Sequence, residues 1–189
     1  SFDLIMQGRK GTAILLDVGS GQILSAYHPD VAARRLALPG STVKAFTLLA
    51  LLDSRKVQPA EKFLCRRDVH VGKVNLTCSH PQTGQPFDAV SALAYSCNDY
   101  FSSMAVRLTA VELRNALSAK LSARTGLLPN EATGSVQLTE TREQRQLQAV
   151  GEFGIKVTPL ELLDACRTLA QRRTAPNATP AERTVFDGL

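Results

Sequence analysis

The chain has 189 residues, of which 44% are hydrophobic and 21% are charged, so it can bury one sizeable core and is too apolar to be disordered. The net charge of +5 is modest, and the basic residues are scattered among acidic ones, which argues against a nucleic-acid partner. The longest nearly apolar stretch, residues 45–52, is too short to span a bilayer, and no signal peptide is evident. We therefore expect any membrane anchor to lie outside this chain.

The first part of the chain predicts a β-hairpin. Residues 12–16 and 22–27 are β-type runs, and the turn-rich residues 17–21 join them. Residues 28–40 read as a loop. Because an isolated hairpin is marginally stable, this pair is expected to begin a larger antiparallel sheet.

The middle of the chain predicts a mainly helical region, residues 41–171. A helix is expected to begin at Ser41, and Asp88 can cap another that runs to about Tyr95. The clearest start signal is Thr158-Pro-Leu-Glu161, a capping box with proline at the first helical position. Further helices are expected at residues 99–108, 111–123, 141–150 and 159–171. Residues 55–86 read as irregular and 172–189 as a polar connection, so the fold class is α+β, with helices packed on an antiparallel sheet.

Ser41 and Lys44 are the first candidates for chemistry. Three residues apart at a helix start, they are neighbours on one face, and a lysine in a dry pocket can lose its proton and activate a serine. Alone the pair is weak evidence, since Ser41 could simply cap the helix and Lys44 could be solvated.

Ser96 and Asn98 form the second candidate pair. In an extended linker between two helices they would point the same way, so that a hydroxyl could relay protons while an amide held a substrate carbonyl. A capping turn is the structural alternative.

Together the two pairs match the S-x-x-K and S-x-N elements of serine acyl-enzymes. Four segments resemble, in order, the transpeptidase domain of penicillin-binding proteins over about residues 11–170. They are the hairpin at residues 11–26, Leu38-Pro-Gly-Ser-Thr-Val-Lys44, Ser96-Cys-Asn-Asp-Tyr-Phe101 and Gly151-Glu-Phe-Gly-Ile-Lys-Val-Thr-Pro-Leu160.

The resemblance implies an extracytoplasmic peptidoglycan D,D-transpeptidase. Ser41 would be the acylated nucleophile, Lys44 its base, Ser96 a proton relay and Asn98 a ligand of the substrate amide. Stem peptides ending in D-Ala-D-Ala and β-lactams would be its ligands, other wall-synthesis proteins would be further partners, and no cofactor or metal is expected. The segment from Gly151 to Leu160 would shape a turn and start a helix.

One departure is that the K-T-G motif of the family is not in this sequence. Residues 185–189 resemble the helix that shortly precedes that motif, so we interpret the chain as a partial transpeptidase domain that ends before its central strands. For this chain alone we expect little acylation.

The cysteines allow several interpretations. A local disulfide between Cys65 and Cys78 is favoured, followed by free buried thiols. Zinc bound by Cys65, His70, Cys78 and His80 is the least favoured, because the spacing fits no standard finger. Cys166 is expected in the core. Cys97 is a conceivable rival nucleophile, but no histidine is evident to activate it.

The sequence alone leaves two other functions open. The fold could serve as a non-catalytic β-lactam sensor or wall-synthesis scaffold. A β-lactamase is less favoured, because the deacylating glutamate motif E-x-x-L-N is not visible.

Overall fold

The computed structural model describes residues 2–82 and 84–189. Within them lie a short hairpin region, a larger body of helices and two further strand pairs. The helices are α1 (Phe2–Met6), α2 (Pro29–Arg34), α3 (Lys44–Asp53), α4 (Ala89–Ala94), α5 (Asn98–Ala105), α6 (Ala110–Leu121), α7 (Arg142–Ala149), α8 (Pro159–Arg173) and α9 (Pro180–Asp187). No helix of the described residues is long and apolar enough to cross a membrane.

The strands found in residues 2–82 and 84–189 form three separate antiparallel pairs. They are β1 (Ala13–Leu16) with β2 (Ile23–Tyr27), β3 (His70–Val71) with β4 (Val74–Asn75), and β5 (Ser135–Val136) with β6 (Ile155–Lys156). The predicted hairpin is therefore confirmed, with a register shift between Leu15 and Leu16. The described residues between 55 and 86 carry the short β3–β4 pair and an isolated bridge from Phe63 to Phe87, in keeping with the irregular segment expected there.

Helix α3 forms the centre of the helical body. Every residue from Lys44 to Leu52 is buried, and α3 packs against α4, α5, α6 and α9. A helix that is apolar on all sides belongs in a core rather than on a surface, which explains why α3 carries so few polar residues. Its sequence thus places Lys44 between Val43 and Ala45, two members of the hydrophobic core.

Capping boxes fix the starts of four helices. In each, an N-cap side chain accepts from a backbone N–H three residues later, and the side chain there accepts from the N-cap N–H. The pairs are Asp88 with Ser91, Thr109 with Glu112, Thr158 with Glu161, and Thr179 with Glu182. The predicted start of α8 is confirmed.

Of the helices in the described residues, three lie where the residue pattern predicted none: α1, α2 and α9, although the resemblance to the family suggested a helix at residues 185–189. Helix α2 occupies the expected loop of residues 28–40, with Pro29 at its start. Helix α9 occupies part of the expected polar connection, and its Val185 is fully buried as the helix packs against α3, α4 and α8. The end of the chain is therefore part of the helical body.

Candidate active site

The candidate nucleophile lies in a tight turn that runs directly into α3. Residues Gly40–Val43 form a 3-10 turn, in which the backbone N–H of Lys44 donates to the carbonyl of Ser41. Side chains three residues apart eclipse one another in a 3-10 turn, so Ser41 and Lys44 share one side of it. Ser41 is exposed, whereas Lys44 is buried. The helical region thus begins at Gly40, one residue before the predicted start.

The amine of Lys44 is the centre of the site. Its side chain is 1% exposed, and Nζ lies 2.7 Å from the carbonyl oxygen of Ser96, 3.0 Å from Ser96 Oγ and 2.5 Å from Asn98 Oδ1. Nζ also lies 5.8 Å from the centre of the Phe101 ring. Among the described residues, Lys44 forms these contacts rather than a hydrogen bond with Ser41. The structure therefore brings Lys44, Ser96 and Asn98 together, with Ser41 on the adjacent turn.

Burial gives Lys44 the character of a base. Desolvation lowers the pKa of Lys44 to about 8, although negative charge on Cys78, Cys97 and Glu152 would act to raise it. A neutral amine has two N–H groups and one lone pair. The two carbonyl-type oxygens of Ser96 and Asn98 can only accept and can take both N–H groups, so the lone pair is left for a hydroxyl. Lys44 and Ser96 can thus exchange a proton directly.

The segment from Ser96 to Asn98 reaches Lys44 by a different geometry from the predicted extended linker. Ser96 has a left-handed backbone with φ of 49°, Cys97 is the N-cap of α5, and Asn98 is already the first residue of that helix. The change of direction at Ser96 turns both its carbonyl and its hydroxyl to Lys44. Asn98 Nδ2 donates to the carbonyl of Thr77 at 3.1 Å, which fixes the direction of its amide.

An ion pair holds the start of α5 beside this segment. The carboxylate of Asp99 is fully buried and accepts from the backbone N–H, Nε and Nη2 of Arg66 at 2.7, 3.1 and 2.6 Å. Burial alone would raise the pKa of Asp99, but the hydrogen bonds and charge of Arg66 outweigh it and lower the pKa. This carboxylate stays charged near neutral pH and ties α5 to the irregular segment.

Gly151, which lies outside the predicted site, packs against the turn that carries Ser41. Gly40 donates its N–H to the carbonyl of Gly151 at 3.2 Å, and a Cβ on Gly151 would lie 2.1 Å from the carbonyl oxygen of Gly40. Nearby, Ala37 and Val157 exchange two backbone hydrogen bonds of 3.0 Å. The segment from Gly151 to Leu160 therefore shapes a turn and starts α8, as predicted. It also packs against the turn that contains Ser41.

The cysteines differ from expectation. Cys65 and Cys78 are free thiols with sulfurs 3.7 Å apart, so the favoured disulfide is not formed. Cys97 is fully buried, which removes it from the reach of a substrate. Cys166 is exposed on α8, so its predicted core position is wrong.

The family model described as penicillin binding protein transpeptidase domain matches residues 11–183. No curated protein matches the chain.

Several solved structures share the fold. A peptidoglycan glycosyltransferase from Burkholderia ambifaria aligns at 19% identity and a TM-score of 0.75, covering 94% of this chain and 63% of that one. PBP2 from Helicobacter pylori, in a complex with MreC, aligns at 17% identity and a TM-score of 0.80, covering 98% and 45%. Pseudomonas aeruginosa PBP2, in a complex with WCK 5153, aligns at 17% identity and a TM-score of 0.78, covering 98% and 57%.

The chain spans between 45% and 63% of the length of these structures, and at such identities the likeness concerns the fold. The predicted α+β class is thus confirmed. The family match covers most of the chain, and the chain belongs to the penicillin-binding protein transpeptidase domain family.

Proposed function

We propose that this chain carries the acylation machinery of a peptidoglycan D,D-transpeptidase, with Ser41 as the nucleophile. The observation that supports it best is the buried Lys44 amine, held against Ser96 and Asn98 on the turn next to an exposed serine. A family match alone would leave the chemistry unassigned. A desolvated lysine beside a hydroxyl gives a serine the base that it needs.

The first half of the reaction forms an acyl-enzyme. Ser41 Oγ attacks the carbonyl carbon between the two terminal D-alanines of a stem peptide, and its proton passes to neutral Lys44. Lys44 returns a proton through the Ser96 hydroxyl to the leaving amine, so that the C–N bond breaks and D-alanine departs. The contact of 3.0 Å between Lys44 Nζ and Ser96 Oγ suits this transfer.

Asn98 would position the substrate. Its Oδ1 faces Lys44 and one N–H of Nδ2 faces Thr77, so the second N–H of Nδ2 remains for a substrate carbonyl. In the second half of the reaction, an amine of a neighbouring stem peptide attacks the ester and passes its proton back along the same groups. Ser41 is then free again.

The same serine would be acylated by β-lactams, whose strained amide occupies the place of the D-Ala-D-Ala bond. After ring opening the leaving nitrogen stays tethered to the acyl group, so the acceptor amine is blocked. We place the protein on the outer side of the cytoplasmic membrane, where peptidoglycan is cross-linked, with wall-synthesis proteins as its neighbours.

The test is covalent labelling by a fluorescent penicillin in the full-length protein that contains this chain. Ser41→Ala should abolish labelling, and Lys44→Ala should reduce it nearly as far. Asn98→Ala should slow it less, because it removes a substrate contact and one acceptor of Lys44 but leaves the nucleophile and the base in place. Ser54→Ala is the matched control, since it removes an exposed serine at the opposite end of α3.

Labelling that survives Ser41→Ala would refute the assignment of the nucleophile. A second assay follows cross-linking of lipid-linked precursor by the wild-type protein. Labelling without any cross-linking would mark a β-lactam sensor or scaffold, and rapid release of the label with hydrolysed drug would mark a β-lactamase.

A further inference from the structure

Three cysteines and one histidine form a compact group next to the candidate active site. Sulfur–sulfur distances are 3.7 Å between Cys65 and Cys78 and 3.9 Å between Cys78 and Cys97, and Cys65 Sγ lies 3.5 Å from Nε2 of His80. All four ligand atoms lie within 4.8 Å of one another. A sulfur–sulfur bond is about 2.05 Å long, so none of these contacts is a disulfide.

The three short distances are those expected between ligands of one tetrahedral ion. With Zn–S bonds of about 2.3 Å and Zn–N bonds of about 2.0–2.1 Å, tetrahedral angles place two sulfurs about 3.8 Å apart and sulfur about 3.5 Å from nitrogen. The observed separations agree with both values. Thiolate and imidazole ligands in this geometry favour zinc over the harder divalent cations.

The surroundings prepare these atoms to bind a cation. Nδ1 of His80 lies 2.8 Å from the carbonyl oxygen of Pro81, and because a carbonyl can only accept, Nδ1 carries the proton. Nε2 therefore presents its lone pair to the cysteines, in the tautomer typical of metal-bound histidine. Backbone N–H groups of Arg67 and Tyr100 donate to the sulfurs of Cys65 and Cys97 at 3.3 and 3.4 Å, so each of these sulfurs is held in place by the backbone.

Burial and charge fit the same interpretation. Cys78, Cys97 and His80 are 1%, 0% and 7% exposed, so their ligand atoms are largely withdrawn from water. Three thiolates with one Zn²⁺ would leave a single negative charge. The guanidinium of Arg67 lies beside it and donates to the carbonyls of both Cys78 and His80.

We propose that Cys65, Cys78, His80 and Cys97 bind one structural Zn²⁺ ion. Four protein ligands complete a tetrahedron and leave no open position, which is the arrangement of structural rather than catalytic zinc. This site replaces the disulfide expected from the sequence. It also differs from the zinc alternative considered there, because His70 is exposed on β3 and Cys97 takes its place.

The ion would fasten the irregular segment to the start of α5. Three ligands come from residues 65–80, and the fourth, Cys97, stands between Ser96 and Asn98, the two residues that contact Lys44. Zinc would therefore act as a positioning element for the Lys44 site. This consequence rests on the proposed function, whereas the binding of zinc does not.

Metal binding can be tested without any activity assay. The full-length protein, purified without chelator, should contain one zinc ion per chain by elemental analysis. After removal of the metal under reducing conditions, titration with Co²⁺ should give the visible bands of a tetrahedral cobalt thiolate, saturating at one ion per chain and displaced by Zn²⁺.

Variants separate this site from other ligands. Cys65→Ser, Cys78→Ser and His80→Ala should each lose most of the bound metal. Cys166→Ser and His70→Ala, which remove an exposed cysteine and an exposed histidine, should keep it. Because a variant can fail to fold, the cobalt titration of the wild-type chain is decisive by itself.

The results can overturn the proposal in clear ways. A protein without zinc, whose mass shows a disulfide among Cys65, Cys78 and Cys97, would refute it, as would metal that depends on Cys166 or His70. If zinc binds, its removal should slow penicillin labelling about tenfold or more, with recovery when Zn²⁺ is returned. Unchanged labelling in the metal-free protein would refute the positioning role alone, and absence of labelling in the zinc-loaded protein would refute the proposed function alone.

Discussion

The close contact between Gly151 and the nucleophile turn permits a prediction that depends on backbone geometry alone. Gly151→Ala adds a single methyl group at a residue with φ of +81°. That methyl carbon would lie 2.1, 2.6 and 2.7 Å from the carbonyl oxygen, carbonyl carbon and amide nitrogen of Gly40. Non-bonded heavy atoms settle at about 3.5–4.0 Å, so the two backbones would have to separate by about 1 Å or more.

The expected cost has two parts. A left-handed backbone costs a non-glycine residue about 1–2 kcal/mol, and overpacking costs about 1–3 kcal/mol. Gly151→Ala should therefore lower the free energy of unfolding by about 2–5 kcal/mol. The matched control is Gly126→Ala, since Gly126 has φ of +72° and no described atom within 4 Å of the added carbon. Gly126→Ala should lower the free energy of unfolding by the backbone cost alone, about 1–2 kcal/mol.

Urea unfolding of both variants measures the difference directly. A second measurement, the rate of penicillin labelling, should fall by about a hundredfold in Gly151→Ala, since a shift of about 1 Å at the Ser41 turn misplaces the nucleophile. In Gly126→Ala the rate should stay close to wild type. If the two variants unfold within about 0.5 kcal/mol of each other, the contact with Gly40 does not support the turn.

Two further predictions concern ionisable groups. Because the pKa of Lys44 is lowered to about 8 and its neutral form is the base, the labelling rate should rise about tenfold from pH 7 to pH 9 and then level off; a rate still climbing above pH 10 would indicate an ordinary lysine. Asp99→Asn removes a buried charge that accepts three hydrogen bonds from Arg66 and should cost about 1–3 kcal/mol in urea unfolding. Asp164→Asn removes a carboxylate that is 25% exposed, compared with 0% for Asp99, and should cost at most about 1 kcal/mol. Equal losses would contradict the importance of carboxylate burial.

Local signals explain what the sequence predicted well. The hairpin and the start of α8 depend on turn residues and on a capping box, whose partners lie within a few residues of one another. The same signal was present at Thr179 and Glu182, where the polar surroundings concealed α9. Helix α9 is stabilised by the burial of Val185 against other helices, and this contact is not visible in the local sequence.

The sequence suggested residues for the candidate site but not their contacts. Sequence spacing suggested that Lys44 faces Ser41, whereas its amine turns to Ser96 and Asn98, more than fifty positions away along the chain. The close approach of Gly151 to Gly40 and the meeting of Cys97 with His80 are equally long-range. No local rule reports such contacts, because they depend on how separate elements pack.

Two attachments converge on the segment that presents Ser96 and Asn98 to the lysine. Arg66 binds the carboxylate of Asp99, and the sulfur of the adjacent Cys65 belongs to the cluster that includes Cys97. Ser96 lies between these anchors and Lys44 in a left-handed backbone, which costs a non-glycine residue about 1–2 kcal/mol.

Such a conformation persists only where the surroundings hold it, and here the anchors lie directly after the strained residue. The left-handed backbone of Ser96 directs both its carbonyl and its hydroxyl at the amine of Lys44. A relaxed, extended Ser96 would place these two groups on different sides, and the lysine would lose either its hydrogen-bond acceptor or its proton partner. The irregular segment around Cys65 and Arg66, which contributes no residue to the predicted chemistry, therefore helps to hold Ser96 and Asn98 against Lys44.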